Sequence, residues 1–148
     1  MKRGALWFLP WVLSGGLAGC LDSYEPDVGE LTAGVCKNDD KHPDEEISFE
    51  ADIAPILEMN CSCHDPRKGG SAIDLVGFSV ENYAKVRRGG ANSGDKIVVP
   101  KMPCDSIIVQ KVSESPPFGV RMPTFGPYLS REERDLLHDW IAEGARDN

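Results

Sequence analysis

Histidine is scarce in this chain: three residues in 148, His42, His64 and His138, each in an unrelated context. So few, so placed, form no Ser/His/Asp set and no metal-hydrolase motif, and no catalytic residue is assigned. Basic charge is short as well, with 16 Lys and Arg against 24 Asp and Glu and a formal net charge of −8. That balance argues against holding nucleic acid or an anionic membrane by bulk charge. Long apolar runs are missing too. The uncharged stretch from Ala5 to Leu17 is short and interrupted by Pro10, Gly15 and Gly16, which does not suit a membrane span. Beyond the Gly15-Gly16 pair of that stretch, neither Gly69-Gly70 nor Gly89-Gly90 leads into Gly-Lys-Ser/Thr, so neither is a phosphate-binding loop. No internal repeat or long low-complexity tract occurs.

What is present starts with an export pattern. Lys2 and Arg3 precede the uncharged run, and Leu17-Ala18-Gly19 lead into Cys20. Leu-Ala-Gly-Cys resembles the lipobox of bacterial lipoproteins, which implies cleavage before Cys20 and lipid on that cysteine. Loss of residues 1–19 removes two basic and no acidic residues, so the mature chain is more acidic still. The expected location is the cell envelope, lipid-anchored outside the cytoplasm in the periplasm or on the outer membrane. Residues 20–47 are polar and rich in charge around Lys37 to Glu46, and read as a flexible tether. His42, beside Pro43 in that run, is expected to be solvated. The folded domain is expected over 48–148.

The most informative run is Cys61-Ser62-Cys63-His64. Cysteine followed at once by histidine is how covalent c-type haem sites end: a thiol adds to a haem vinyl and the adjacent imidazole ligates iron. The usual spacing is C-x-x-C-H, and here it is C-x-C-H. Thiols three apart share one face of a helical turn, whereas thiols two apart lie about 200° around it. The backbone must leave the helix at Ser62 for both to reach one haem. Three outcomes are open: two thioethers on an irregular turn, one thioether through Cys63, or two structural cysteines in disulfides beside a surface histidine.

Export brings oxidising conditions, under which free thiols are improbable. With Cys20 lipidated, Cys36, Cys61, Cys63 and Cys104 fit either one disulfide plus a two-thioether haem or two disulfides. Cys36 suggests that the tether is pinned, with Cys104 a candidate partner. A zinc site from Cys61, Cys63, His64 and another cysteine is a further option, although closed thiolate sites favour reducing compartments.

Periodicity predicts helices throughout. Phe49, Ile53, Ile56 and Leu57 recur at i, i+4, i+7 and i+8, with regular helix starting near Pro55. Residues 65–71 form a loop by their Pro and Gly content. Val80 to Val86 permits a short helix with Tyr83 and Val86 inward, ended by Gly89 and Gly90. Asp105 or Ser106 caps a segment holding Ile107, Ile108 and Val112. Ser113 to Pro127 is an extended Pro/Gly loop carrying Met122. Ser130 and Glu133 make a capping box, Leu136, Leu137, Trp140 and Ile141 make one apolar stripe, and Gly144 stops the last helix. His138 falls on the opposite face with Arg131, Arg134 and Asp135, and is expected to face solvent.

A helix running into Cys-His, a Val-Val-Pro segment, an Arg-Met-Pro loop and a final Leu-Ser-x-Glu-Glu…Trp-Ile-x-x-Gly-Ala helix together resemble small class I cytochrome c domains. The likeness is greatest to the planctomycete-type domains of exported bacterial proteins, and it covers Phe49 to Ala145. The resemblance implies an all-α fold, a small cytochrome-c-like domain with long Pro/Gly-rich loops. It implies haem c as cofactor, Cys61 and Cys63 as attachment, His64 as proximal iron ligand and Met122 as distal ligand. Met102, also before a proline, is the second candidate. The chain departs from the family at the first thiol: aligned on Cys63-His64, the family's first cysteine falls on Asn60. The implied function is one-electron transfer with a redox partner protein, and no enzyme activity, because both axial positions are filled. The alternative is a haem-free, disulfide-stapled binding or structural lipoprotein on the same scaffold. Cys36 and Cys104 lie outside the family's haem set.

Overall fold

A computed structural model describes residues 36–148, so the export segment and Cys20 lie outside the described residues. Five short α-helices joined by π and 3₁₀ turns make up the domain, and no β-strand occurs among the described residues, so the fold is all-α. Ser48 opens the first element: its hydroxyl accepts from the Ala51 N–H (3.1 Å). A π-helical turn, Phe49–Ile53, passes directly into α1, Ala54–Asn60, with Pro55 in the first turn, where its missing N–H costs nothing. The expected stripe is the buried one, Phe49, Ile53, Ile56 and Leu57.

α2, Ala72–Val76, buries no residue and was not legible as a helix; it ends at Gly77 with φ +68°. α3, Tyr83–Arg88, is capped by the Asn82 side chain and ends at Gly89, close to the expected stop. α4, Ile107–Val112, buries Ile108 and Val112. Ser106 stands at its N-cap position but does not cap it. Its buried hydroxyl instead receives the Val99 N–H (2.8 Å) and donates to the Met102 carbonyl (3.0 Å), tying the Val-Val-Pro segment to the helix start. α5, Arg131–Ala142, carries the full capping box of Ser130 and Glu133.

The core gathers around α5. Leu137, Trp140 and Ile141 are fully buried with Ile53, Leu57, Val86 and Val98. The Trp140 ring lies 5.4 Å from Phe49 and 6.4 Å from Tyr83, and its N–H donates to the Arg146 carbonyl (2.9 Å). The Tyr83 hydroxyl donates to the Ala145 carbonyl (2.9 Å), so the polar groups of Trp140 and Tyr83 both have partners.

Residues 36–47 pack on this body rather than extending from it. Cys36 is bonded to Cys104, with Cα atoms 5.8 Å apart. The Lys41 N–H reaches the Asp139 carboxylate, the Ile47 N–H reaches the Glu143 carboxylate, and Ile47 is buried. The expected tether therefore does not run to residue 47; within the described chain, the segment from Cys36 onward is a strap across α5.

Candidate functional site

The Cys61–His64 run sits where α1 stops. Cys61 is the C-cap of α1, with φ −116° and ψ 28°, and its N–H still donates to the Leu57 carbonyl (2.8 Å). Ser62–His64 then form a 3₁₀ turn. The chain has thus left the α-helix by Ser62, the point at which it must do so for both thiols to reach one haem. Cys61 packs half-buried against the core while Cys63 is exposed, and neither is in a disulfide. Burial pushes the Cys61 thiol up to about 12, with Cys63 adding to the rise.

Around this turn the packing is close. The His64 ring lies 5.2 Å from the Phe78 ring, and the His64 carbonyl accepts the Val80 N–H (2.9 Å). Its Nδ1 is sealed from solvent and makes no well-formed hydrogen bond. Burial lowers the pKa of the imidazole, and the adjacent Phe78 backbone pulls it the other way. Asp65, fully buried, locks the chain as it leaves the turn. Its carboxylate accepts from the Arg67 backbone N–H, and from Nε and Nη2 of the same guanidinium at 2.9 Å each. The Arg67 bonds hold the Asp65 carboxyl below its ordinary range despite burial. Gly70 presses on the turn so closely that a Cβ there would stand 2.5 Å from the Cys63 carbonyl oxygen and 2.8 Å from the Asp65 nitrogen. Asp65 and Gly70 position the site, and sequence reasoning missed both; the only signal was the loop composition of 65–71.

Met122 lies half-buried in the long loop before α5. Its N–H donates to the Lys111 carbonyl (2.8 Å), and the Lys111 ammonium donates to the carbonyls of Phe118 and Val120, lying 5.2 Å over the Phe118 ring. The Thr124 hydroxyl contacts the Met122 sulfur at 3.3 Å. α4 thus holds the loop through one lysine. Met102 belongs elsewhere: its sulfur contacts the Asn38 side chain of the strap (3.6 Å), two residues from Cys104.

The other two histidines correct their expected surroundings. His138 is buried, not solvated, because the strap covers that face of α5: its Nδ1 meets the Asp139 carboxylate at 2.8 Å and its Nε2 the Lys37 carbonyl at 2.7 Å. His42, half-exposed, places Nδ1 at 2.7 Å from the other Asp139 oxygen, so it is an ion-pair partner rather than a freely solvated residue. Burial pushes the Asp139 carboxyl up, but His138, His42 and the Lys41 N–H together hold it below its usual value. The bond to Asp139 raises the pKa of His42.

Ligand atoms of Cys36, Cys104 and His138 fall within 4.8 Å of one another, yet the two sulfurs are spent on their mutual bond. That bond also leaves no further described cysteine to complete a closed zinc set with Cys61, Cys63 and His64. A cleft of about 490 Å³ opens beside the disulfide, lined by Val109, Arg134, Asp135 and His138 among others, and neither the Cys61–His64 turn nor Met122 contributes to it.

The donor set at the turn fits a haem on two counts. His64 turns Nδ1 inward toward the Phe78 backbone and leaves Nε2 without a protein partner, beside the free exposed thiol of Cys63. The elements that flank the turn leave large apolar side chains uncovered, Met59 and Leu75 at 75% and 83% exposure. No protein-family model matches the chain, and no curated protein or solved structure matches it either.

Proposed function

We propose that the domain is cytochrome-c-like, holds one c-type haem and transfers single electrons outside the cytoplasm, anchored by lipid on Cys20. The observation that carries the reading is the Cys61–His64 turn, where the imidazole keeps Nδ1 buried on the side of the Phe78 backbone, leaves Nε2 without a protein partner, and adjoins a free exposed thiol. In this reading His64 is the proximal ligand, Met122 the distal ligand, and attachment comes from the motif through Cys63, with or without Cys61. The haem, when bound, supplies a one-electron iron couple, and a thioether ligand raises its potential. The chain's own part is to orient and exclude water. Phe78 and the Val80 N–H hold His64, the Asp65–Arg67 pair stiffens the turn, and Lys111 holds the Met122 loop. Among the described residues no helix is long and apolar enough to cross a membrane, and attachment in this reading rests on the lipid. The acidic balance suits docking to a redox partner protein with a basic face.

The test is a visible spectrum of the full chain expressed with a cytochrome c maturation system. The expected result is sharp α and Soret bands that survive acid–acetone extraction. Met122→Ala should remove the sulfur-to-iron charge-transfer band of the oxidised protein and lower its potential, while Met102→Ala leaves both. A folded but colourless protein would sink the reading and favour the haem-free binding or structural lipoprotein. That second reading draws on the Cys36–Cys104 staple and the cleft beside it.

A further inference from the structure

We infer that Cys63 alone carries the thioether and that Cys61 remains a thiol, an inference that rests on the haem reading above. The two sulfurs start from different elements. Cys61 is the last hydrogen-bonded residue of α1, and its side chain packs half-buried against the core cluster. Cys63 belongs to the 3₁₀ turn beyond it, and its side chain is exposed. Cys61 stands at the junction between the two, with φ −116° and ψ 28°, and the core packing of its side chain keeps it from the open side on which Cys63 lies.

Bringing Cys61 outward means undoing the end of α1, and several contacts resist that. The Cys61 N–H is bonded to the Leu57 carbonyl, and the Cys61 carbonyl accepts the His64 N–H, each at 2.8 Å. Beyond the turn, the Cys63 carbonyl is hemmed in by Gly70, and Asp65 is clamped by Arg67. Cys63, by contrast, already presents a free, exposed thiol immediately before His64.

The covalent step involves Cys63 only. Its sulfur bonds to the ring-proximal carbon of one vinyl group of ferrous haem, the vinyl π bond breaks, and the thiol proton passes to the terminal carbon. No electron enters or leaves, and the second vinyl stays intact.

The experiment combines the intact mass of the full chain, matured with haem, with alkylation by iodoacetamide under denaturing, non-reducing conditions. One covalent haem and one alkylated cysteine, mapped to Cys61, are expected, with a pyridine haemochrome red-shifted from the two-thioether position. Cys63→Ser should lose covalent haem entirely, and Cys61→Ser should keep the wild-type yield and the same haemochrome. One haem with no alkylated cysteine and an unshifted haemochrome would overturn the inference while the haem reading stands. The wild-type thiol count decides this even if a variant folds poorly. A wild-type mass without haem would overturn both together.

Discussion

Asp139 joins α5 to the strap laid across it. Its side chain is completely buried, and it accepts from His138, His42 and the Lys41 N–H. The Lys37 carbonyl occupies the second nitrogen of His138, so both ring nitrogens face oxygen atoms. An asparagine there replaces one carboxylate oxygen by an NH2, which sets donor against donor in a buried site. Asp139→Asn should therefore cost roughly 3–5 kcal/mol in urea unfolding. His42→Ala, at the half-exposed partner, should cost far less. Equal losses would mean that the strap, not the buried pair, carries the energy. Gly70 makes a sharper demand at the candidate site. With 2.5 Å to the Cys63 carbonyl, Gly70→Ala must displace the turn, and a loss of about 1–3 kcal/mol in thermal or urea unfolding is expected. An unchanged melt would show that the 65–70 loop yields freely.

Among the elements, the strap and the Met122 loop are held by unlike means. The strap has a covalent end, the Cys36–Cys104 bond closing a sequence separation of 68 residues, and a polar end on Asp139 and Glu143. Cys36→Ser should lower stability by about 2–4 kcal/mol. Hydrogen exchange should then rise first at 37–42 and at the α5 amides beneath them, and loss of protection in α1 instead would show that the strap is not an independent unit. α1 and α5 were readable because their apolar residues recur at helical spacing and their starts carry Ser48 and the Ser130–Glu133 box. α2 was not, because it is five residues long and buries nothing, so no periodic stripe marks it. Ser106 misled for a related reason: a serine ahead of an apolar run is a cap by local rules, but here Val99 and Met102 claim its hydroxyl.

At the scale of the whole molecule, pH reports how these charges share the work. Asp65 and Asp139 both have pKa values below their ordinary ones, so each binds protons more weakly folded than unfolded. Their contribution is full above the unfolded carboxylate value and is lost as pH falls through the lower folded value. His42 is raised, so its contribution is full below the unfolded histidine value and fades as pH rises through the folded one. Tm should be highest between the carboxylate and histidine ranges, drop steeply in acid and decline mildly toward alkaline pH. Asp139→Asn should reduce both slopes, whereas a Tm flat into acid would show these carboxylates to be energetically idle. The sequence by itself determined the helical class, the buried stripes of Phe49–Leu57 and of α5, the extended Met122 loop and the spacing of the two motif thiols. These arise from properties local in the chain: periodicity, caps, proline and glycine. Only the tertiary structure decided that His138 is buried, that Asp139 joins two histidines, that Cys36 pairs with Cys104, and that Cys61 turns inward while Cys63 faces out. Each of those depends on what a distant segment lays over a helix face, and a face that is polar in sequence becomes interior only when a strap of matching donors and acceptors covers it.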